Sequence, residues 1–116
     1  MANTFKIKTN GAMPASAGTP LTLYTVQSGE TAVVLGLLLC NVHTSAVNVS
    51  VQIVSDTSDT ETNETVYAVR NAPIPVGGTL EVLTGSKVIL QTTDVLKIDC
   101  SDSASIDASL SIMEIS

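Results

Sequence analysis

The stretch Thr31-Ala-Val-Val-Leu-Gly-Leu-Leu-Leu-Cys-Asn41 decides the fold. In an extended strand Val33, Leu35, Leu37 and Leu39 point one way, and Val34, Gly36, Leu38 and Cys40 the other. Both faces are apolar, so both need cover. Such a strand sits at the centre of a sheet, or has one face under a second sheet and the other under a partner chain. It is too short to cross a membrane as a helix. Gly36 and the adjacent valines disfavour a buried helix. Burying the four larger side chains of the first face stabilises by about 1.5–3 kcal/mol each, before chain entropy is subtracted.

Working outward, period-2 alternation recurs on both sides. Residues 4–8 place Phe5 and Ile7 on one face and Lys6 and Lys8 on the other, an edge strand guarded by lysines. Residues 10–20 are Gly, Ala, Ser and Pro without period, a loop or arm. Residues 21–26 alternate again, and 27–30 turn the chain into the central strand. Beyond it, 42–45 form a short connection. Val47, Val49, Val51 and Ile53 then alternate with Asn48, Ser50 and Gln52. Residues 55–65 read as an exposed acidic loop. Further strands follow at 66–70, 79–83, 87–91, 95–100 and 106–112. The segment 71–78, with two prolines and two glycines, reads as a turn-rich connection. About nine short strands and no helical period predict an all-β protein, a single antiparallel β-sandwich of immunoglobulin-like or jelly-roll type. The expected division is 1–20, an N-terminal edge strand and Ala/Gly/Pro-rich arm, and 21–116, the sandwich.

The totals limit the function classes. A chain of 116 residues with net charge -6 has only Lys6, Lys8, Arg70, Lys87 and Lys97 as cations, in no cluster. That argues against direct nucleic-acid binding, which needs basic phosphate contacts. The first 20 residues contain no apolar core of a secretory signal, and no membrane span follows, so synthesis in a reducing cytoplasm is expected. Cys40 and Cys100 are then expected to be free thiols. The sequons at Asn48 and Asn63 are read as chance matches for the same reason.

No constellation for chemistry stands out. His43 is the sole histidine and sits in a predicted turn, without the ordered partners that nucleophilic catalysis requires. One histidine and two distant cysteines make a poor zinc set. Asp56, Asp59, Glu61 and Glu64 lack the order of a calcium loop and read as a solvated face. Gly77 and Gly78 are followed by neither a Lys-Ser/Thr pair nor a helix, so no phosphate loop is expected. Tyr24 and Tyr67 are the only aromatics to spare for stacking a sugar. No catalysis, metal or cofactor is expected. Arg70 is the one charge that reads as structural, either in a salt bridge within the fold or as an interface anchor.

Two blocks carry a family resemblance: Tyr67-Ala-Val-Arg-Asn-Ala-Pro-Ile-Pro-Val-Gly-Gly-Thr-Leu-Glu-Val82 and Lys87-Val-Ile-Leu-Gln-Thr-Thr-Asp-Val-Leu-Lys-Ile98. An aromatic, a basic residue and an Ala-Pro-x-Pro-x-Gly turn precede a Leu-x-Val strand, and a Leu-Gln-x-x-Asp-x-Leu-Lys segment follows. This resembles small virion structural proteins of tailed bacteriophages, particularly phages of cyanobacteria. The resemblance implies a β-sandwich subunit of the head-decoration type. Its partners would be copies of itself, with a trimer favoured, and the major capsid or other virion proteins. It implies a virion location after assembly in the host cytoplasm, and no catalytic residues. The alternative class is a tail, neck or fibre component that binds a host-surface ligand.

The expected contact residues follow from the faces left uncovered. Val34 and Leu38 mark the second face of the central strand. Phe5 and Ile7 mark the N-terminal edge strand. Arg70, Asn71, Pro73 and Pro75 combine an arginine with rigid prolines.

Overall fold

The computed structural model describes residues 3–13, 16–55, 63–82 and 88–116. Nine strands are present among them: β1 (Asn3–Met13), β2 (Leu21–Thr25), β3 (Thr31–Asn41), β4 (Val47–Val54), β5 (Val66–Ile74), β6 (Thr79–Val82), β7 (Val88–Leu90), β8 (Val95–Cys100) and β9 (Ile106–Ile115). They form two antiparallel sheets. One runs β1-β9-β3-β6, with β7 also on β3, and the other runs β2-β8-β4-β5. We refer to these as the β1 sheet and the β2 sheet.

The pairing decides between the two expected topologies. β1 pairs β9, β2 pairs β8, β3 pairs β6 and β7, and β4 pairs β5. The first four strands alternate between sheets, and each pairs with a strand from the second half of the chain. That is one long hairpin rolled up, the jelly roll, and not the immunoglobulin order. β6 lies along residues 37–40 of β3 and β7 along residues 32–34, so the two strands share one position in the sheet.

The core lies between the sheets and is aliphatic. Leu37, Leu39, Leu110 and Ile112 of the β1 sheet face Val49, Val51, Leu96 and Ile98 of the β2 sheet, all fully or almost fully buried. β3 is central, between β9 and β6/β7, as its two apolar faces predict. Its alternation is nevertheless broken. The register with β9 shifts between Val34 and Gly36, leaving Leu35 as the extra residue of a β-bulge. Before the bulge Ala32 and Val34 point inward; after it Leu37 and Leu39 do. Val34 is therefore 0 % exposed in the chain's own core. The expectation that it shares the outward face with Leu38 is corrected: one inserted residue reverses the faces.

Two segments differ from their sequence reading. Residues 10–13 continue β1, where an arm was expected. Ala12, at φ 54°, donates its N–H to Asp107 Oδ1 at 2.8 Å, and Met13 is wholly buried. A long-range carboxylate holds what local composition marks as loop. Residues 71–74 continue β5, and the turn is confined to 75–78. Gly77 supplies a positive φ of 72° there, and Gly78 N donates to Pro75 O at 2.9 Å. Pro73 is accommodated because β5 is an edge strand. Most of the expected acidic loop, including Asp56, Asp59 and Glu61, lies outside the described residues, as does Lys87.

Candidate interaction surface

The register places four apolar side chains in one row across the outer face of the β1 sheet. Phe5 is opposite Met113, Met113 opposite Val33, and Val33 opposite Ile89. Directly paired residues share a face, so the row is contiguous. Phe5 is 73 % and Ile89 65 % exposed. Ile7 stands beside the row at 67 % exposure, opposite Ser111. Leu35, at the bulge, and Leu38, opposite Ser109, extend it along β3. Near Leu38 the face is concave, with a groove of about 450 Å³ that includes Cys40 and Asn10. Extents of 45 and 27 Å leave this face room for the roughly 800 Å² per partner of a standard interface. The result is an exposed apolar patch that spans four strands, larger than the singly scattered apolar residues of an ordinary surface.

The inward side of the same edge is built differently. Lys6 points toward the gap between β1 and β2, where its Nζ lies 2.7 Å from Glu114 Oε1. The Tyr24 hydroxyl donates to Glu114 Oε2 at 2.6 Å. Glu114 is only 3 % exposed. The Lys6 and Tyr24 hydrogen bonds hold its carboxyl below the ordinary value of 4.5 against the opposing effect of burial. Glu114 in turn raises the Lys6 ammonium above 10.5. Burial, and then the hydrogen bond to Glu114, push the Tyr24 phenol well above its usual range. The trio ties the two sheets together at their open side.

At one end of the sandwich the tie is Asn41, which closes β3. Its Nδ2 donates to Ser45 O and Ile74 O at 3.0 Å and to Pro75 O at 3.2 Å. Its Oδ1 accepts from His43 N at 2.7 Å. His43 itself is partly exposed in the turn, as expected. Ser45 Oγ lies 3.1 Å and Asp102 Oδ2 3.6 Å from its ring, and both meet Nδ1. A relay needs its serine and its carboxylate on opposite ring nitrogens, so this trio is a turn cap and not a catalytic triad.

The outer face of the β2 sheet is polar. Lys97 is opposite Gln52, and Gln52 opposite Tyr67; in the next row Asp99 is opposite Ser50. The Arg70 guanidinium lies over the Tyr67 ring, 5.3 Å from its centroid. Its neighbour Asn71, at φ 52°, donates its N–H to Ser50 Oγ at 3.0 Å. Of the two roles expected for Arg70, no salt bridge to an acid is seen among the described residues. Its contact is aromatic.

The expected contact residues thus separate. Phe5, Ile7 and Leu38 share the outer face of the β1 sheet, and Val34 is removed to the core. Arg70, Asn71 and Pro73 are exposed on β5 of the other sheet, and Pro75 is exposed in the turn after it. Sequence reasoning missed Val33, Met113 and Ile89 as partners of Phe5. The signal for Ile89 was present, since it alternates against Val88 and Leu90. Glu114 and Asn41 gave no signal, because every one of their partners but His43 and Ser45 is remote in sequence. Cys40 and Cys100 are free and lie in different sheets. Among the described residues no three His, Cys, Asp or Glu side chains converge, and no helix is long and apolar enough to cross a membrane.

No family model matches the sequence, and no curated protein is similar to it at a significant level. Solved structures do share the fold. A chain in the crystal structure of the T13 particle of infectious bursal disease virus superposes with TM-score 0.57 at 16 % identity, over 96 % of this chain. A chain of the Gx strain of that virus gives 0.53 at 15 % identity, over 96 % of this chain and 33 % of its own length. A chain of the VP2 subviral particle of that virus gives 0.52 at 14 % identity, over 95 % of this chain and 32 % of its own length. The chain spans about a third of these relatives, 31 % of the first. At such identity the likeness is one of fold: this all-β sandwich is also a building unit of chains in icosahedral virus particles.

Proposed function

We propose that the chain is a structural subunit of a virus particle and acts through chain-to-chain contact without catalysis. The observation that carries this reading is the contiguous outward row Phe5–Met113–Val33–Ile89, together with Ile7 and Leu38. A jelly roll buries only the inner faces of its sheets. An outer face with this much apolar surface is stabilised when a second chain covers it. The fold likeness to chains of virus particles supports the same reading. The sequence resemblance narrows it to a head-decoration protein of a tailed phage. On that reading its partners are copies of itself, as a trimer, and the major capsid protein.

The test is sedimentation of the wild-type protein and of Leu38→Asp and Ile89→Asp at micromolar concentration, with binding to particles that lack the protein. The expected result is a wild-type oligomer or particle-bound species that both variants lose while remaining folded. A wild type that stays monomeric and does not bind such particles overturns the reading, and the host-ligand alternative then takes its place.

A further inference from the structure

We propose that the cleft over Tyr67 and Arg70, on the outer face of the β2 sheet, binds an acidic saccharide. This goes beyond the particle role and does not depend on it, because the cleft and the apolar row lie on opposite sides of the sandwich.

The backbone builds the cleft. β5 carries two register shifts against β4, one between Val49 and Val51 and one between Val51 and Gln52. In a regular strand, residues three apart point to opposite faces. Here the bulges bring Tyr67 and Arg70 to the same face, with the guanidinium 5.3 Å from the ring centroid. Asn71 completes the bulge in a left-handed conformation, with its N–H held by Ser50 Oγ. Bulges that re-aim side chains recur beside binding sites, and a left-handed non-glycine residue needs its surroundings to hold it.

The side chains set the ligand class. The open cleft measures about 340 Å³, the size of one or two sugar rings. A guanidinium held over an aromatic ring at cation–π distance has lost some side-chain freedom in advance, and it presents a planar fork of donors, which suits a carboxylate. Among the described residues no carboxylate of the chain forms an ion pair with it. Gln52, Ser50 and Asn71 add amide and hydroxyl groups along the same wall. Asp99 closes the cleft, its Oδ1 accepting from Gly18 N at 3.0 Å and Cys100 N at 2.8 Å. A bare dianion such as phosphate is repelled by Asp99, whereas sugar hydroxyls donate to it. One carboxylate beside several hydroxyls satisfies both ends, and that is a sugar acid.

The experiment is a nitrogen-15 NMR titration of the full chain with glucuronate, glucose and acetate, up to about 50 mM, well past the millimolar affinity expected for a single ring. The expected result is saturable shifts at Tyr67, Arg70, Gln52 and Asn71 with glucuronate, at concentrations at least about tenfold lower than with glucose or acetate. Arg70→Gln should weaken binding about tenfold or more, while Lys8→Gln, on the other sheet, leaves it unchanged. Absence of saturable shifts with glucuronate overturns the proposal. So does equal binding by Arg70→Gln, or acetate binding as well as glucuronate, which would mark a contact for an acidic protein side chain.

Discussion

The two outer faces of this sandwich are made by the same device and finished in opposite ways. Each is the outward half of a period-2 alternation, and each contains a β-bulge. On the β1 sheet the outward residues of four neighbouring strands are Phe5, Met113, Val33 and Ile89. On the β2 sheet the outward residues are Lys97, Gln52 and Tyr67, with Asp99 and Ser50 in the next row. The first face is stabilised by losing water, the second by keeping it or exchanging it for polar groups. The contrast separates two tasks: the inner faces of the sheets hold the chain together, and the outer faces offer unlike surfaces, one apolar and one polar, to whatever meets them.

The largest expected effect separates the inner and outer faces of β3. Val34→Asp should unfold the protein or cost at least about 4 kcal/mol, because it places an unpaired carboxylate in the core. Leu38→Asp should cost about 1 kcal/mol or less in the isolated chain while abolishing self-association. Urea titration and sedimentation of the pair check this. Equal destabilisation would show that the bulge does not switch the faces.

Next comes the end seam that keeps the faces on their proper sides. Asn41→Ala strands the carbonyls of Ile74 and Pro75 and the His43 N–H, and should cost about 2–4 kcal/mol by urea titration. A loss under 1 kcal/mol would mean that water replaces the amide there.

A smaller and pH-dependent effect belongs to the open side. The Glu114 carboxyl titrates below 4.5 in the folded chain. Between that lowered value and the ordinary one, the unfolded chain binds more protons than the folded one. The contribution is therefore full above pH 4.5 and is lost as pH falls through the folded value. Glu114→Gln should flatten the acid limb of a plot of unfolding midpoint against pH. Lys6 and Tyr24 are shifted upward, so their share persists up to their ordinary values and disappears only as pH rises through the raised ones. An acid limb unchanged in Glu114→Gln would assign it to other carboxylates.

The smallest effect should fall on the polar face. Gln52→Ala should change stability by about 0.5 kcal/mol or less and leave sedimentation untouched. If it disrupts association as strongly as Ile89→Asp, the contrast between the faces is broken.

The sequence made the alternation, the central place of β3 and the shared face of Phe5 and Ile7 legible, because each needs only neighbours along one strand. It did not make the bulges legible. In β3 a bulge inside an all-apolar run leaves no mark, since Val34 and Leu38 are apolar whichever way they point. In β5 the meeting of Tyr67 and Arg70 contradicts ordinary strand geometry, so alternation alone argues against it. The tail of β1 was hidden because Gly11 and Ala12 carry no strand signal, and Asp107, which holds them, is nearly the whole chain away. The jelly-roll order was invisible for the same reason: it consists of long-range pairings.

Those pairings also set a timetable. Asn3 lies opposite Ile115, and Thr31 lies opposite the same residue from the other side. β1 and β3 therefore have no direct partnership and meet only across β9. A ribosome that has released the first two-thirds of the chain has made β1 and β3 but none of the strands that pair with them. Until β9 emerges, the row that ends as an outer contact face and the core beneath it are both exposed to whatever else is nearby. Loop-closure entropy is greatest for such distant pairings, so they are expected to form late and to limit the folding rate. A chain of this design exposes its stickiest strands longest during synthesis, and prompt assembly with other copies or a chaperone would shorten that exposure.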